Sequence, residues 1–160
     1  MKKVIFLFVA LLLPACIFLF LKMFGKNEFD VSPLFKDEYP KGVEECGVTI
    51  TLPYVIPDTV QAKFKTQEKP LTLLYLGPSD DDSEKQLNRI KRDFQNEITV
   101  QKLQDTPEVL RLKRCTFFLT EPHDLVLLDL DGVIRGQYIS KERKEMDRLV
   151  TELAVLLKQY

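Results

Sequence analysis

The run Asp124-Leu-Val-Leu-Leu-Asp-Leu-Asp131-Gly132-Val-Ile-Arg-Gly-Gln-Tyr138 decides how this chain folds. Leu125 to Leu130 is an apolar run of strand length, and Val133, Gln137, Tyr138 and Ile139 continue as a second β-prone run. Between them, Asp131-Gly132 can supply the positive φ angles that a tight type I′ turn demands of its two central residues. The expectation is a β-hairpin. The same residues also admit a catalytic reading, with Asp129 and Asp131 acting on a substrate at the end of a buried strand.

That second reading has a family attached. Leu127-Leu-Asp129-Leu-Asp131-Gly132-Val133 resembles the first motif of the haloacid dehalogenase superfamily, where the first aspartate attacks phosphate and the second works as acid and base. Such a phosphatase places this strand first and needs about a hundred or more residues after it to complete the sheet. Here 28 residues follow Gly132, and they read as a single amphipathic helix. No later strand can bring in the serine or threonine, the lysine and the acidic pair that grip phosphate and magnesium, so the motif lacks its structural context.

With 160 residues, 45% hydrophobic and 29% charged, the chain has the balance of one globular domain. The average hides a division, because Val4 to Leu21 (VIFLFVALLLPACIFLFL) is 18 residues without a charge, bordered by Lys2, Lys3 and Lys22. That length can cross a hydrocarbon core. A cleaved signal peptide and a lipoprotein signal ending at Cys16 are the competing readings. Ile17-Phe-Leu-Phe-Leu21 keeps the run apolar past Cys16, and Pro14 suits neither cleavage site, so a membrane anchor over residues 1–25 is expected. Pro14 in mid-span is tolerated in lipid. The flanking lysines favour the N-terminus inside, which would put everything after Gly25 outside the cytoplasm, on the outer side of the inner membrane.

Setting Lys2, Lys3 and Lys22 aside with the anchor takes the formal charge from −1 to −4. Arg89, Lys91, Arg92 and Arg111, Lys113, Arg114 alternate with apolar and acidic residues and form no basic stripe, so nucleic acid is not an expected partner. The expected partners are the lipid bilayer, through residues 4–21, and an unidentified protein.

Residues 26–47, with Pro33, Pro40 and Gly42, read as a linker, and residues 48–160 as the folded domain. Val48 to Ile56 is β-rich, with Pro53 restricting it to an edge or interrupted strand. Leu71 to Leu76 suits a strand buried on both faces. Gly77-Pro-Ser-Asp-Asp-Asp-Ser83 then offers helix caps, followed by a helix to about Gln95 carrying Leu87, Ile90 and Phe94 on one face. Ile98 to Leu103 is a further strand, Pro107 opens a helix carrying Val109, Leu110 and Leu112, and Cys115 to Leu119 reads as short and extended. From about Lys141 to Gln159, an apolar stripe runs through Met146, Leu149, Val150, Leu153, Leu156 and Leu157. Strand, helix, strand, helix, hairpin, helix is a thioredoxin-like order. The expected fold is therefore an α/β, thioredoxin-like mixed sheet flanked by helices, preceded by a transmembrane helix.

Details of this order resemble the SCO/SenC family, membrane-anchored thioredoxin-fold proteins that handle copper for cytochrome oxidase assembly. Ile56-Pro-Asp58 is similar to the start of the family's domain, Leu73-Leu-Tyr-Leu76 to its first core strand, and Leu128-Asp-Leu-Asp-Gly-Val-Ile-Arg-Gly-Gln-Tyr138 to its final hairpin. The closing helix, Glu145-Met-Asp-Arg-Leu-Val150 to Leu157-Lys158, is also similar. The family's activity depends on two cysteines four positions apart after the first core strand and on a later histidine. Here Ser79 and Ser83 stand at the cysteine positions, and a hydroxyl offers neither a disulfide nor the soft thiolate that selects cuprous ion.

The remaining candidates are few. His123, the one histidine, sits before the hairpin much as the family's ligand does, and reads first as a loop residue between Pro122 and Asp124. Cys46 and Cys115 lie outside the apolar run; they read as free thiols, with a structural bridge and a redox pair as the alternatives. Asp80-Asp81-Asp82 reads as a helix cap in the positive end of the helix dipole rather than as a calcium or magnesium loop. The resemblance thus implies a membrane-tethered accessory domain that binds a partner, in respiratory-complex assembly, with no catalytic residue and no cofactor. The alternative is a metal-binding or thiol-disulfide protein using Cys46, Cys115 and His123, with copper as its metal.

Overall fold

A computed structural model describes residues 12–14, 16–20, 30–64 and 69–160. The chain divides into two compact units, residues 1–30 and 31–160. In the first, residues 12–14 and 16–20 are helical, with Leu12, Leu13 and Ile17 to Phe20 exposed. No helix among the described residues is long and apolar enough to cross a membrane. Most of the remainder of the expected span, including residues 4–11, lies outside the described residues.

The second unit is a mixed α/β domain. Its elements are α1 (Val43–Cys46), α2 (Asp58–Phe64), β1 (Leu71–Tyr75), α3 (Asp81–Asp93), β2 (Ile98–Lys102), α4 (Pro107–Cys115), β3 (Leu125–Asp129), β4 (Ile134–Tyr138) and α5 (Arg143–Leu156), with a closing 3₁₀ turn over Leu157–Gln159. The four strands form one sheet in the order β2-β1-β3-β4. β1 and β2 run parallel, in register Leu71 to Ile98, while β1–β3 and β3–β4 are antiparallel. β1 and β3 are central and buried at every position, which is why their sequences are apolar runs rather than alternations.

Two cores follow from the pleat, because alternate residues of a strand point to opposite faces. On one face Leu71, Leu73, Tyr75, Leu125 and Leu127 meet Leu87 and Ile90 of α3 and Met146, Leu149, Leu153 and Leu156 of α5. The four α5 residues are wholly buried, at 0% exposure, which matches the stripe read in the sequence. On the other face Leu74, Val126, Leu128 and Ile134 meet Tyr54, Ile56, Phe64 and Phe117 to Leu119. α4 contributes Val109 and Leu112 there, while Leu110 is exposed.

The hairpin forms, but not around a type I′ turn. Gly132 N–H bonds back to Asp129 O at 3.2 Å, and Gly132 alone in the turn has positive φ, at 77°. Leu130 and Asp131 are thus the centre of an ordinary turn, and Gly132 takes the left-handed position after it. A Cβ there would meet Gln61 at 2.6 Å as well. Further along, the ladder slips between Leu127 and Leu128, leaving Arg135 as an extra residue opposite them.

Three other segments differ from the sequence reading. Val48 to Ile56 is no strand; it makes one antiparallel bridge, Val55 to Val133, and sends Tyr54 and Ile56 into the core. Cys115 ends a helix, and Thr116 to Leu119 is irregular, with Phe118 at φ 49° and buried. The stretch read as a linker joins the folded unit from Val31, because Leu34 N–H bonds to Ile134 O at 2.8 Å and covers the edge of β4. Phe35 completes an aromatic cluster with Tyr54 and Phe118, centroids 6.4 and 6.0 Å away.

Two phenols are sealed by this packing. Burial pushes the Tyr54 hydroxyl, which donates to Thr116 O at 2.9 Å, up to about 12, and burial with the Glu152 contact drives Tyr138 higher still. A phenol whose folded pKa is raised contributes stability below the unfolded value, about 10, and loses it as pH rises toward the folded value. The unfolding midpoint should therefore fall steadily from about pH 10 upward, with Tyr54 and Tyr138 still neutral at about pH 11. Tyrosinate absorbance on native and Tyr54→Phe chains checks this, and a Tyr54 that ionises near 10 contradicts it.

Candidate functional site

The loop after β1 and the strand ends beside it gather the polar residues that the sequence singled out. Asp80 caps α3: one carboxylate oxygen accepts Ser83 N–H at 3.1 Å and the other the Ser83 hydroxyl at 2.8 Å. These bonds, with the Lys141 ammonium 3.5 Å away, hold the Asp80 carboxyl below its ordinary range. The chain of contacts then continues inward. Ser83 Oγ lies 2.7 Å from Ser140 Oγ, and Ser140 donates both its N–H and its hydroxyl to Asp124, at 2.7 and 2.6 Å.

Both serines are 0% exposed and Asp124 is 7% exposed. Their hydroxyls are committed to carboxylates within the fold, so the chain ties the start of α3 to the ends of β3 and β4 rather than presenting a nucleophile. Sequence reasoning missed Asp124 and Ser140, because residues 80, 83, 124 and 140 meet only once the sheet is built.

The two positions matched to paired cysteines therefore differ in kind. Ser79 is exposed and its hydroxyl points to Glu84 at 3.4 Å, whereas Ser83 is inside the buried chain. Of the three aspartates Asp80 alone is the cap, while Asp81 and Asp82 stand exposed in the first turn of α3, at the positive end of its dipole.

Asp129 is not a free nucleophile. One oxygen accepts Asp131 N–H at 3.0 Å and Val133 N–H at 2.9 Å, and the other accepts Arg135 Nε at 2.8 Å. Its side chain is 1% exposed, so the carboxylate organises the turn that follows it.

Cys46 and Cys115 form a disulfide, with Cα atoms 5.5 Å apart. This corrects the expectation of free thiols: α1 and the end of α4, distant in sequence, are neighbours in the fold. The bond occupies both sulfurs, so the Cys115 considered as a metal ligand has no thiolate to offer in this state. His123 Nδ1 lies 3.0 Å from Thr120 O. Among the described residues, no group of three histidine, cysteine, aspartate or glutamate side chains is placed to hold a metal ion.

Beside the disulfide is a groove of about 550 Å³, bordered on one side by Val48 to Thr51 and lined also by Tyr54, Val60 and Leu112. Lys63 and Glu108 pair on its rim at 2.6 Å, and Arg111 joins them there. No family model matches this chain, and no curated protein matches it either.

Proposed function

We propose that the chain is a membrane-tethered, extracytoplasmic thioredoxin-like domain of the SCO/SenC type. It lacks the family's redox and copper cysteines and acts by binding a protein partner in the assembly of a respiratory complex. The observation that carries this reading is the Cys46–Cys115 disulfide, since such bonds persist in oxidising compartments and are rare in the cytosol. Its position agrees with the apolar run of residues 4–21, which would leave the domain outside the inner membrane.

The sheet supports the fold part of the reading: a parallel pair joined by a helix, then an antiparallel hairpin and a closing helix, in the order β2-β1-β3-β4. Serine at both matched positions, one exposed and one locked in a buried hydrogen-bond chain, supports binding over thiol chemistry.

The test is the redox state and location of the cysteines in a bacterial host expressing the full chain. After acid trapping, Cys46 and Cys115 should resist alkylation until a reductant is added, and membrane-impermeant reagents should reach them in spheroplasts. Free alkylation of both Cys46 and Cys115 in the trapped protein, beyond that of the unbridged Cys16, would sink the extracytoplasmic assignment. Stoichiometric Cu(I) binding by the full chain would overturn the non-metal part.

A further inference from the structure

The segment from Cys46 to Tyr54 leaves and rejoins the domain at adjacent positions. Its first foot is the disulfide to Cys115, and its second is the hydrogen bond from the Tyr54 hydroxyl to Thr116 O at 2.9 Å. The segment is thus a closed hoop standing on the end of α4. Short surface loops whose ends are fixed close together are frequently binding elements, because their conformation is set before a ligand arrives.

Within the hoop, the backbone groups of Val48, Thr49, Ile50 and Thr51 make no hydrogen bond among the described residues. Four consecutive β-prone residues outside any strand, with unpaired donors and acceptors beside a groove, leave a row of backbone groups that an incoming strand could pair with. The groove offers apolar lining from Tyr54, Val60 and Leu112. On its rim Lys63 is neutralised by Glu108, whereas Arg111 meets no carboxylate among the described residues. A row of unpaired backbone groups, an apolar trough and one unneutralised guanidinium together specify an occupant.

We propose that this hoop and groove bind an extended segment of a separate protein, which adds as a strand to Val48–Thr51, sets an apolar side chain beside Tyr54 and Leu112, and places a carboxylate on Arg111. The proposal rests on the partner-binding reading above and names the kind of partner. Main-chain pairing gives such recognition its affinity, and the alternate side chains with the charge give it selectivity. Guanidinium–carboxylate pairing can be bidentate, which makes Arg111 the residue that rejects a basic segment.

The experiment uses the full chain in detergent and a dye-labelled heptapeptide of alternating valine and threonine with a central glutamate, read by fluorescence anisotropy. Saturable binding is expected, weaker by about tenfold for the same peptide with lysine in place of glutamate and for Arg111→Glu. Proline at Val48 or at Thr49 removes a donor from one of the two alternating backbone sets, neither of which the fold uses. One of those variants should lose binding while its unfolding midpoint stays near that of the parent chain. Absence of saturable binding, indifference to Arg111→Glu, or retention by both proline variants would each overturn the proposal. So would a concentration-dependent dimer in sedimentation that Arg111→Glu dissolves, since the occupant would then be a second copy of this chain. None of these outcomes depends on where the cysteines are oxidised in cells, so the two readings fail separately.

Discussion

Replacing Asp129 by alanine should cost the fold about 3 to 5 kcal/mol, because it leaves a largely buried guanidinium without its partner. Arg135 is 18% exposed at the side chain and Asp129 1%, so water can replace little of what is lost. The same carboxylate also satisfies the N–H groups of Asp131 and Val133, which would then face the interior of the turn unpaired. Asparagine at 129 would keep an oxygen for those two donors but would turn an amide N–H toward Arg135, so its cost should approach that of alanine. Urea unfolding of the parent, Asp129→Ala and Asp129→Asn chains measures this. A loss under about 1 kcal/mol for alanine would mean that the turn does not depend on the pair. The phosphatase reading makes a different prediction for the same asparagine variant, loss of a magnesium-dependent hydrolysis.

Removing the disulfide should be comparably large. Cys46 and Cys115 are separated by 69 positions, and in the chain-entropy account a cross-link closing a loop of that size contributes roughly 4 kcal/mol. That is a large share of the 5 to 15 kcal/mol typical of a domain's stability. The Cys46→Ser/Cys115→Ser chain should therefore unfold at markedly lower urea, with a steeper denaturant slope, since its unfolded state is no longer held compact. Dithiothreitol should bring the parent chain to the same midpoint and leave the double variant unmoved. A parent chain indifferent to reductant would contradict the structural role assigned to the bond.

Why these two features differed in legibility is a matter of range in sequence. The hairpin could be read because Asp-Gly and its apolar flanks are contiguous, although the turn type could not. Whether Asp131 or only Gly132 takes a positive φ depends on the bond from Gly132 to Asp129 and on the packing of Gln61 against the turn. The helices α3, α4 and α5 were legible from their own periodicity, with caps at Asp80 and Thr106, and the strands β1 and β2 from short β-prone runs between turn and cap signals. The disulfide was not, because nothing near Cys46 or Cys115 says that α1 settles on the end of α4. Residues 31 to 57 were opaque for the same reason. Their apolar residues are as frequent as elsewhere, but the alternation Val48, Ile50, Leu52, Tyr54, Ile56 imitates a strand that does not form, and Leu34, Phe35, Tyr54 and Ile56 find their places only against the finished face of the sheet. The buried chain through Ser83, Ser140 and Asp124 draws on three distant segments, and serine carries no sequence signal that separates an inner hydroxyl from an outer one.

The hoop between Cys46 and Tyr54 has a consequence for how such a domain can change. Its feet stand on neighbouring positions, 115 and 116, so its length is uncoupled from the register of every strand. Doubling a flexible loop costs only about 0.6 kcal/mol of closure entropy. Between Gly47 and Pro53 the chain therefore holds a cassette: provided that Ile50 and Leu52, which pack against the second core, keep their apolar character, exposed residues there can be exchanged or inserted while the strand pairings stay as they are.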